Sequence, residues 1–273
     1  MPQSQANAPI AARTGTQAVW ARLRVEAAAA AAEEPILASF LNAAVLRHAE
    51  FSHALAYCLA SKLADAQLDA MLARDVAEAA LAGDPGIVSQ AIADMVAVEE
   101  RDPACKSVLQ PFLYYKGYQA LQLHRVAHWL WAEGRHNLAF HLQSRVSERF
   151  GVDIHPAARI GQGVMIDHAT SVVIGETAVV GDNCSLLHEV TLGGSGAAQA
   201  DRHPKIGRGV MIGAGAKVLG NIEVGDHARI AAGSVVLKPV PAGCTVAGVP
   251  AKVVGDCCPQ PARTMNQTFP DGK

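Results

Sequence analysis

Between Asp153 and Pro250 an aliphatic or small residue returns at every sixth position: Ile154, Ile160, Ile166, Val172, Ala178, Cys184 and Val190, then, after a break, Ile206, Ile212, Val218, Val224, Ile230 and Val236. A helix repeats every 3.6 residues and an ordinary strand every two, so neither holds a period of six over such a length. A solenoid does. Three hexads make one turn of a triangular coil, with the sixth-position side chains stacked in a narrow interior and short strands forming three flat parallel sheets. Glycine follows the inward residue at Gly161, Gly207, Gly213 and Gly225, where tight corners penalise a side chain. The pattern predicts a parallel β-helix over residues 151–255 that holds one phase throughout.

Upstream, the apolar spacing changes to three and four with abundant Ala and Leu, which predicts helices over 19–32, 35–50, 51–63, 68–82, 87–100, 118–131 and 136–150. Gly83-Asp84-Pro85-Gly86 and Arg101-Asp102-Pro103-Ala104 break the series. The expected fold class is therefore α+β: a flexible lead (1–14), an all-helical oligomerisation domain (15–150), the coil, and a flexible tail (256–273). From Gly193 to Pro204 the rhythm of six fails, so a loop over 194–205 must leave the coil while anchored at both ends, a common way to carry functional groups.

Composition narrows the function classes. A formal net charge of -2 gives no electrostatic reason to expect nucleic acid. No run of about 18 apolar residues suggests a membrane span. The six cysteines show no metal-ligand spacing, and the N-terminus lacks the regions of a secretory signal, so a cytoplasmic location is expected.

Two constellations could carry chemistry. Asp167-His168 directly follows the inward Ile166; the interior has little room for a hydrated imidazole, so His168 should face outward, as an ordinary surface pair or as a general base. Asp153 lies at the start of the coil, but a separation of 15 is not a full turn of 18, so contact with His168 does not follow from the period. Arg202-His203 in the excursion offers a planar donor fork for a carboxylate beside an imidazole, or is merely a solvated loop. His124 and His128 are four apart without a third ligand and read as structural, as does the inward Cys184.

The segments Asp153-Ile154-His155-Pro156-Ala157, Met165-Ile166-Asp167-His168-Ala169-Thr170, Gly175-Glu176-Thr177-Ala178, Val190-Thr191-Leu192-Gly193-Gly194, Asp201-Arg202-His203-Pro204-Lys205 and Ala247-Gly248-Val249-Pro250-Ala251 resemble the serine O-acetyltransferase family of hexapeptide-repeat acyltransferases. The helical half resembles it through Arg101-Asp102-Pro103-Ala104, Leu113-Tyr114-Tyr115-Lys116-Gly117 and His128-Trp129-Leu130-Trp131. The resemblance implies a left-handed coil and acetyl transfer from acetyl-CoA to L-serine, the first step from serine to cysteine, without a metal. It further implies His168 as the general base supported by Asp153, His203 as a second catalytic histidine, Asp102 and Asp167 on the substrate ammonium, Arg202 on its carboxylate, and Glu176 supporting the site. Acetyl-CoA would lie along Gly194, Ala214 and Ala232, with Lys252 near its nucleotide.

Homotrimers or dimers of trimers and feedback inhibition by L-cysteine are also implied. Relatives whose tails dock into O-acetylserine sulfhydrylase end in isoleucine, whereas this chain ends in Lys273, which argues against a tight complex. The alternatives are a CoA-dependent acyltransferase acting on homoserine or an amino sugar, and a non-enzymatic scaffold. A zinc carbonic anhydrase on the same coil would need three converging histidines, and His155, His168, His188 and His203 show no such arrangement in coil arithmetic.

Overall fold

The computed structural model describes residues 15–65, 68–196, 200–256 and 259–268; the expected lead lies outside them. The helical unit comprises α1 (Thr16–Glu33), α2 (Ala38–Leu41), α3 (Phe51–Leu63), α4 (Ala70–Gly83), α5 (Gly86–Arg101), α6 (Leu109–Tyr114), α7 (Lys116–Ala132) and α8 (His136–Phe150). The single helix expected over 35–50 is instead a 3-10 turn (Pro35–Leu37), α2 and a π turn (Asn42–Leu46). The wider π turn brings Leu41, Ala44 and Val45 to one buried side while Ile36 stays exposed. Gly151, at φ 66°, ends α8 and turns the chain into the coil.

The strands are β1 (Val152–Ile154), β2 (Arg159–Ile160), β3 (Met165–Ile166), β4 (Val172–Ile174), β5 (Val179–Val180), β6 (Ser185–Leu186), β7 (Thr191–Gly193), β8 (Lys205–Ile206), β9 (Met211–Ile212), β10 (Lys217–Leu219), β11 (Glu223–Val224), β12 (Arg229–Ile230), β13 (Val235–Val236), β14 (Cys244–Gly248) and β15 (Ala251–Asp256). Three sheets form the sides: β1-β4-β7-β10-β13, β2-β5-β8-β11, and β3-β6-β9-β12-β14-β15. Pairing is parallel except for the closing β14–β15 hairpin.

The expectation of one unbroken phase is corrected by the strand register. Val152 pairs with Val172 and Ile154 with Ile174, so the first turn takes 20 residues, whereas β8 to β11 and β9 to β12 advance by 18. The two extra residues fall at the corner after Ile166. Beyond it, Val172, Ala178, Cys184 and Val190 occupy a second inward column beside Ile174, Val180, Leu186 and Leu192. Ile206 and Ile212 stack on Val180 and Leu186. Both columns are buried, so the sequence keeps an apolar period of six while the true register slips by two.

A buried polar network fastens the helices to the coil. The Asp94 carboxylate on α5, fully buried, accepts from Arg125 Nη2 at 2.6 Å, Gln122 Nε2 at 3.0 Å and Val164 N at 2.9 Å. Arg125 also donates to the carbonyls of Ile160 (3.2 Å) and Gly161 (2.8 Å). Two helical turns further along α5, Arg101 donates to Cys184 O at 3.0 Å and Ser185 Oγ at 3.1 Å on the second coil. One helix is thus pinned to two successive turns. Cys184 is inward and inert, its thiol pushed by burial up to about 12.

The segment expected as a loose tail packs back over its described part. Helix α9 (Pro261–Thr264) lies on the third sheet, Ser185 Oγ donates to Ala262 O at 2.8 Å, and Arg229 donates to Asn266 O and Thr268 O, each at 2.9 Å. The anchoring uses backbone carbonyls of the tail, which leave no periodic side-chain pattern. Among the described residues no helix is long and apolar enough to cross a membrane.

Two stability predictions follow from this seam. Asp94→Ala leaves Arg125 buried without its anion, so urea unfolding should show a loss of about 3–5 kcal/mol. His124 on α7 is held well below its ordinary pKa by burial, with the His128 and Arg125 charges adding to the effect. The unfolded chain then binds the extra proton, so stability falls as pH drops through about 6.5, by at most about 1.4 kcal/mol per pH unit. His124→Gln should flatten that acid limb of a Tm-against-pH series.

Candidate active site

The 20-residue first turn builds the site's most unusual corner, where the third sheet meets the first. His168, Ala169 and Ser171 all have left-handed φ, 55°, 59° and 60°, a conformation disfavoured for residues with a Cβ and concentrated at functional sites. Thr170 N donates to His168 O at 2.7 Å and Ser171 N to Gly151 O at 2.7 Å, which fixes the bulge. The His168 side chain is 75% exposed, its Nε2 3.8 Å from Asp167 Oδ1, so the imidazole is free to meet a substrate.

Asp102 reaches the same place from the far end of α5, its Oδ1 accepting from Ala104 N at 2.8 Å. Burial lifts the Asp167 carboxyl above the usual carboxylate range, with Asp102 adding to the rise and His168 opposing it. Two carboxylates with this mutual repulsion suit a cation. Tyr115, pushed to about 12 chiefly by burial and then by Cys105 and Asp102, stands beside the pair, and Lys116 Nζ donates to Thr170 Oγ1 at 2.5 Å. A Cβ on Gly117 would sit 2.0 Å from Ile166 O; glycine is what lets the start of α7 close against β3. Together these residues line a cavity of about 360 Å³. A larger cavity, of about 510 Å³, lies beside Trp20 and Phe51 in the helical unit and holds none of these groups.

The other constellation occupies a different corner, between the first and second sheets. Arg202 Nη2 pairs with Glu176 Oε2 at 2.6 Å, and this bond holds the Glu176 carboxyl below its usual range. His203 is buried and its Nδ1 accepts from Thr177 N at 3.1 Å and lies 2.9 Å from Thr177 Oγ1, so the neutral ring carries its proton on Nε2. Burial and Arg202 lower its pKa. Thr177 Oγ1 also accepts from the Arg202 and His203 amides, each at 3.1 Å. Asp153 lies on β1 of the first sheet, opposite Val173, where its charge acts on His155 as those of Glu176 and Arg202 do; its Oδ1 accepts from Gln143 Nε2 at 2.6 Å, and no hydrogen bond or ion pair joins it to His168 among the described residues. His155, edge-on to Trp131 at 5.2 Å and to Phe140 at 5.5 Å, completes the cluster.

One chain therefore unites Asp102, Asp167 and His168, and separately Asp153, Glu176, Arg202 and His203. Gly194 lies with the latter, an ideal Cβ falling 3.6 Å from Arg202 Cγ. Ala214 and Ala232 continue the His168 corner along later turns, and Lys252 is exposed on β15. Thr177, Gln143 and Tyr115 were not singled out by sequence reasoning. Thr177 stands inside a motif quoted for its resemblance, but its role rests on contacts 25 and 26 residues away. Among the described residues no group of three potential ligands converges as a metal site would require.

Comparisons with known proteins match both halves. The family model "Serine acetyltransferase, N-terminal" matches residues 19–123, and "Bacterial transferase hexapeptide (six repeats)" matches 203–238. The chain is 54% identical over 252 residues to the serine acetyltransferase of Salmonella typhimurium, covering 92% of each. It is also similar to the Neisseria gonorrhoeae serine acetyltransferase solved in complex with serine, with 55% identity and a TM-score of 0.84 over 86% of this chain and 96% of that one. The Brucella abortus serine acetyltransferase solved with coenzyme A shows 49% identity and a TM-score of 0.87 over 88% and 96%.

The seating of His203 makes a prediction about one glycine. A Cβ on Gly175 would fall 2.1 Å from the His203 ring, so Gly175→Ala should expel the imidazole from Thr177. Histidine NMR signals should report the lost hydrogen bonds, and the Tm should fall by the equivalent of about 1–3 kcal/mol.

Proposed function

We propose a division of labour between the two corners in a chain that belongs to the serine acetyltransferase family and transfers the acetyl group of acetyl-CoA to L-serine, giving O-acetyl-L-serine and CoA. The observation that carries the proposal is the cavity where an exposed imidazole stands beside two mutually repelling carboxylates. The serine ammonium relieves that repulsion between Asp102 and Asp167. Its hydroxyl then faces His168, which takes the proton as the oxygen attacks the thioester carbonyl carbon; a base so placed is worth about a hundred- to ten-thousandfold. The tetrahedral intermediate collapses with cleavage of the C–S bond, and the proton passes from His168 to the departing thiolate.

The carboxylate of serine needs a cation, and Arg202 is the one matched to it. Arg202 stands on the other corner with Glu176 and His203. We assign completion of the site to the Arg202–His203 corner of a neighbouring copy packed beside the His168 corner, in a homotrimer or a dimer of trimers. In that arrangement Asp153 supports His168 from across the boundary, and acetyl-CoA lies along the groove between coils, past Gly194, Ala214, Ala232 and Lys252. The coenzyme A complex of the Brucella abortus relative and the serine complex of the Neisseria gonorrhoeae relative support this choice of ligands. L-cysteine presents the same ammonium and carboxylate with a thiol for the hydroxyl, so it competes for the same contacts.

Subunit mixing tests the division. His168→Ala and Arg202→Ala should each be nearly inactive in CoA release with serine. Co-refolded at equal amounts, they should recover activity at about a quarter of the sites, because a quarter combine an intact His168 corner with an intact Arg202 corner. No recovery, in oligomers shown to be mixed, would place both residues in one chain's site.

A further inference from the structure

Within 168–171 only Thr170 escapes left-handed φ, and it ties the strained residues around it down. Its amide donates to His168 O at 2.7 Å and its hydroxyl to the same carbonyl at 3.4 Å, while Glu189 N, one turn along the coil, donates to Thr170 O at 2.7 Å. A further bond arrives from the helical unit: Lys116 Nζ donates to Thr170 Oγ1 at 2.5 Å. Lys116 opens α7, and Gly117 beside it lets the helix close on the same corner, an ideal Cβ there falling 3.2 Å from Ala169 Cβ. The start of α7 thus meets the two residues that follow His168.

Lys116 lines the same cavity as Asp102 and Asp167, yet among the described residues its ammonium forms no ion pair with either carboxylate. Its bond goes to a neutral hydroxyl instead. That donor fills a lone pair of Thr170 Oγ1 and leaves the hydroxyl proton to turn toward His168 O, so the two bonds make a relay from helix to base. The His168 side chain is 75% exposed and its nearest charged partner, Asp167 Oδ1, is 3.8 Å away. Its aim is therefore set by its backbone, and that backbone is strained and must be held from outside.

We propose that Lys116 is a positioning residue for the acetyl transfer, acting through the Thr170 hydroxyl to hold the His168 backbone where the imidazole meets the serine hydroxyl. The inference rests on the reading of His168 as the general base. A misplacement of about 1 Å at a reacting group costs as much as about a hundredfold in rate.

The test uses the full-length enzyme and CoA release from acetyl-CoA with serine. Lys116→Met keeps the stem and removes the donor; it should lower kcat about ten- to a hundredfold, with KM for both substrates nearly unchanged and the Tm near the parent. Thr170→Val removes the acceptor at constant shape and should lose the same factor, and the double variant should lose no more than either single, because all three break one relay. Thr170→Ser keeps the hydroxyl and should retain most of the parental kcat. Parental kcat in Lys116→Met would overturn the inference, as would losses that multiply in the double variant or equal losses in Thr170→Ser and Thr170→Val. So would a deficit in Lys116→Met beside an unimpaired Thr170→Val, since the ammonium would then act on substrate directly. His168→Ala run alongside separates the two layers: turnover surviving there sinks the reading of the base, whereas its loss beside an unimpaired Lys116→Met sinks only the role of Lys116.

Discussion

The buried pair Asp94–Arg125 is the contact on which the arrangement of the first corner depends. A charge pair so deeply buried gains little net stability over an apolar pair of the same size, because desolvation cancels most of the attraction. What it supplies is register. Asp94 accepts from a coil amide and Arg125 donates to two coil carbonyls, so α5 and α7 can sit against the first turn at one height only. Arg101, seven residues beyond Asp94, repeats the attachment on the second turn. Asp102 follows immediately, so its approach to Asp167 is set by the two clamps behind it.

That clamp meets a coil whose turns are regular except where it is lengthened. Ordinary turns advance by 18 residues with corners of similar shape, and a corner of that kind presents backbone and small side chains. The two additional residues after Ile166 force three left-handed residues into the space of four, projecting His168 away from the sheet faces. Strain of this sort costs roughly 1–3 kcal/mol per residue, and the Ser171–Gly151 and Thr170–His168 backbone bonds help to hold it. On the proposed mechanism the strain positions the base in advance of substrate.

The coil was legible because its interior admits only small aliphatic side chains, so a period of six is imposed along the whole segment. The same restriction concealed the slip at the first corner: Val172, Ala178, Cys184 and Val190 fill a second inward column, and a search for apolar period cannot distinguish two adjacent columns that are both buried. The helical half was readable in its long elements and not over 35–50, where a π turn rather than a helical period gathers the apolar residues. Site chemistry split along similar lines. His168 and Asp167 are neighbours in sequence and therefore visible as a pair, whereas Asp102, Thr177 and Tyr115 act through contacts that only the folded helices and coil create. Asp153 was matched to His168 by resemblance, and within one chain it sits on the first sheet beside Gln143, with no bond to His168 among the described residues.

The separation of the two corners has a geometric reason. Each corner of a three-sided coil is convex, and a convex edge cannot surround a small zwitterion or exclude water from a reacting thioester. The helices supply one wall for the ammonium side, through Asp102 and the start of α7. Among the described residues nothing comparable stands over the His168 corner on its open flank, where on the proposed mechanism the carboxylate is met. Arg202 cannot reach it, because its guanidinium is tied to Glu176 across the width of the first sheet. A second convex edge laid beside the first makes a concave groove from two surfaces that are individually unable to form one. On the proposed arrangement catalysis and assembly are coupled: a lone coil would offer a base and an ammonium site, and the neighbouring corner would contribute the cation that distinguishes an amino acid from a simple amine.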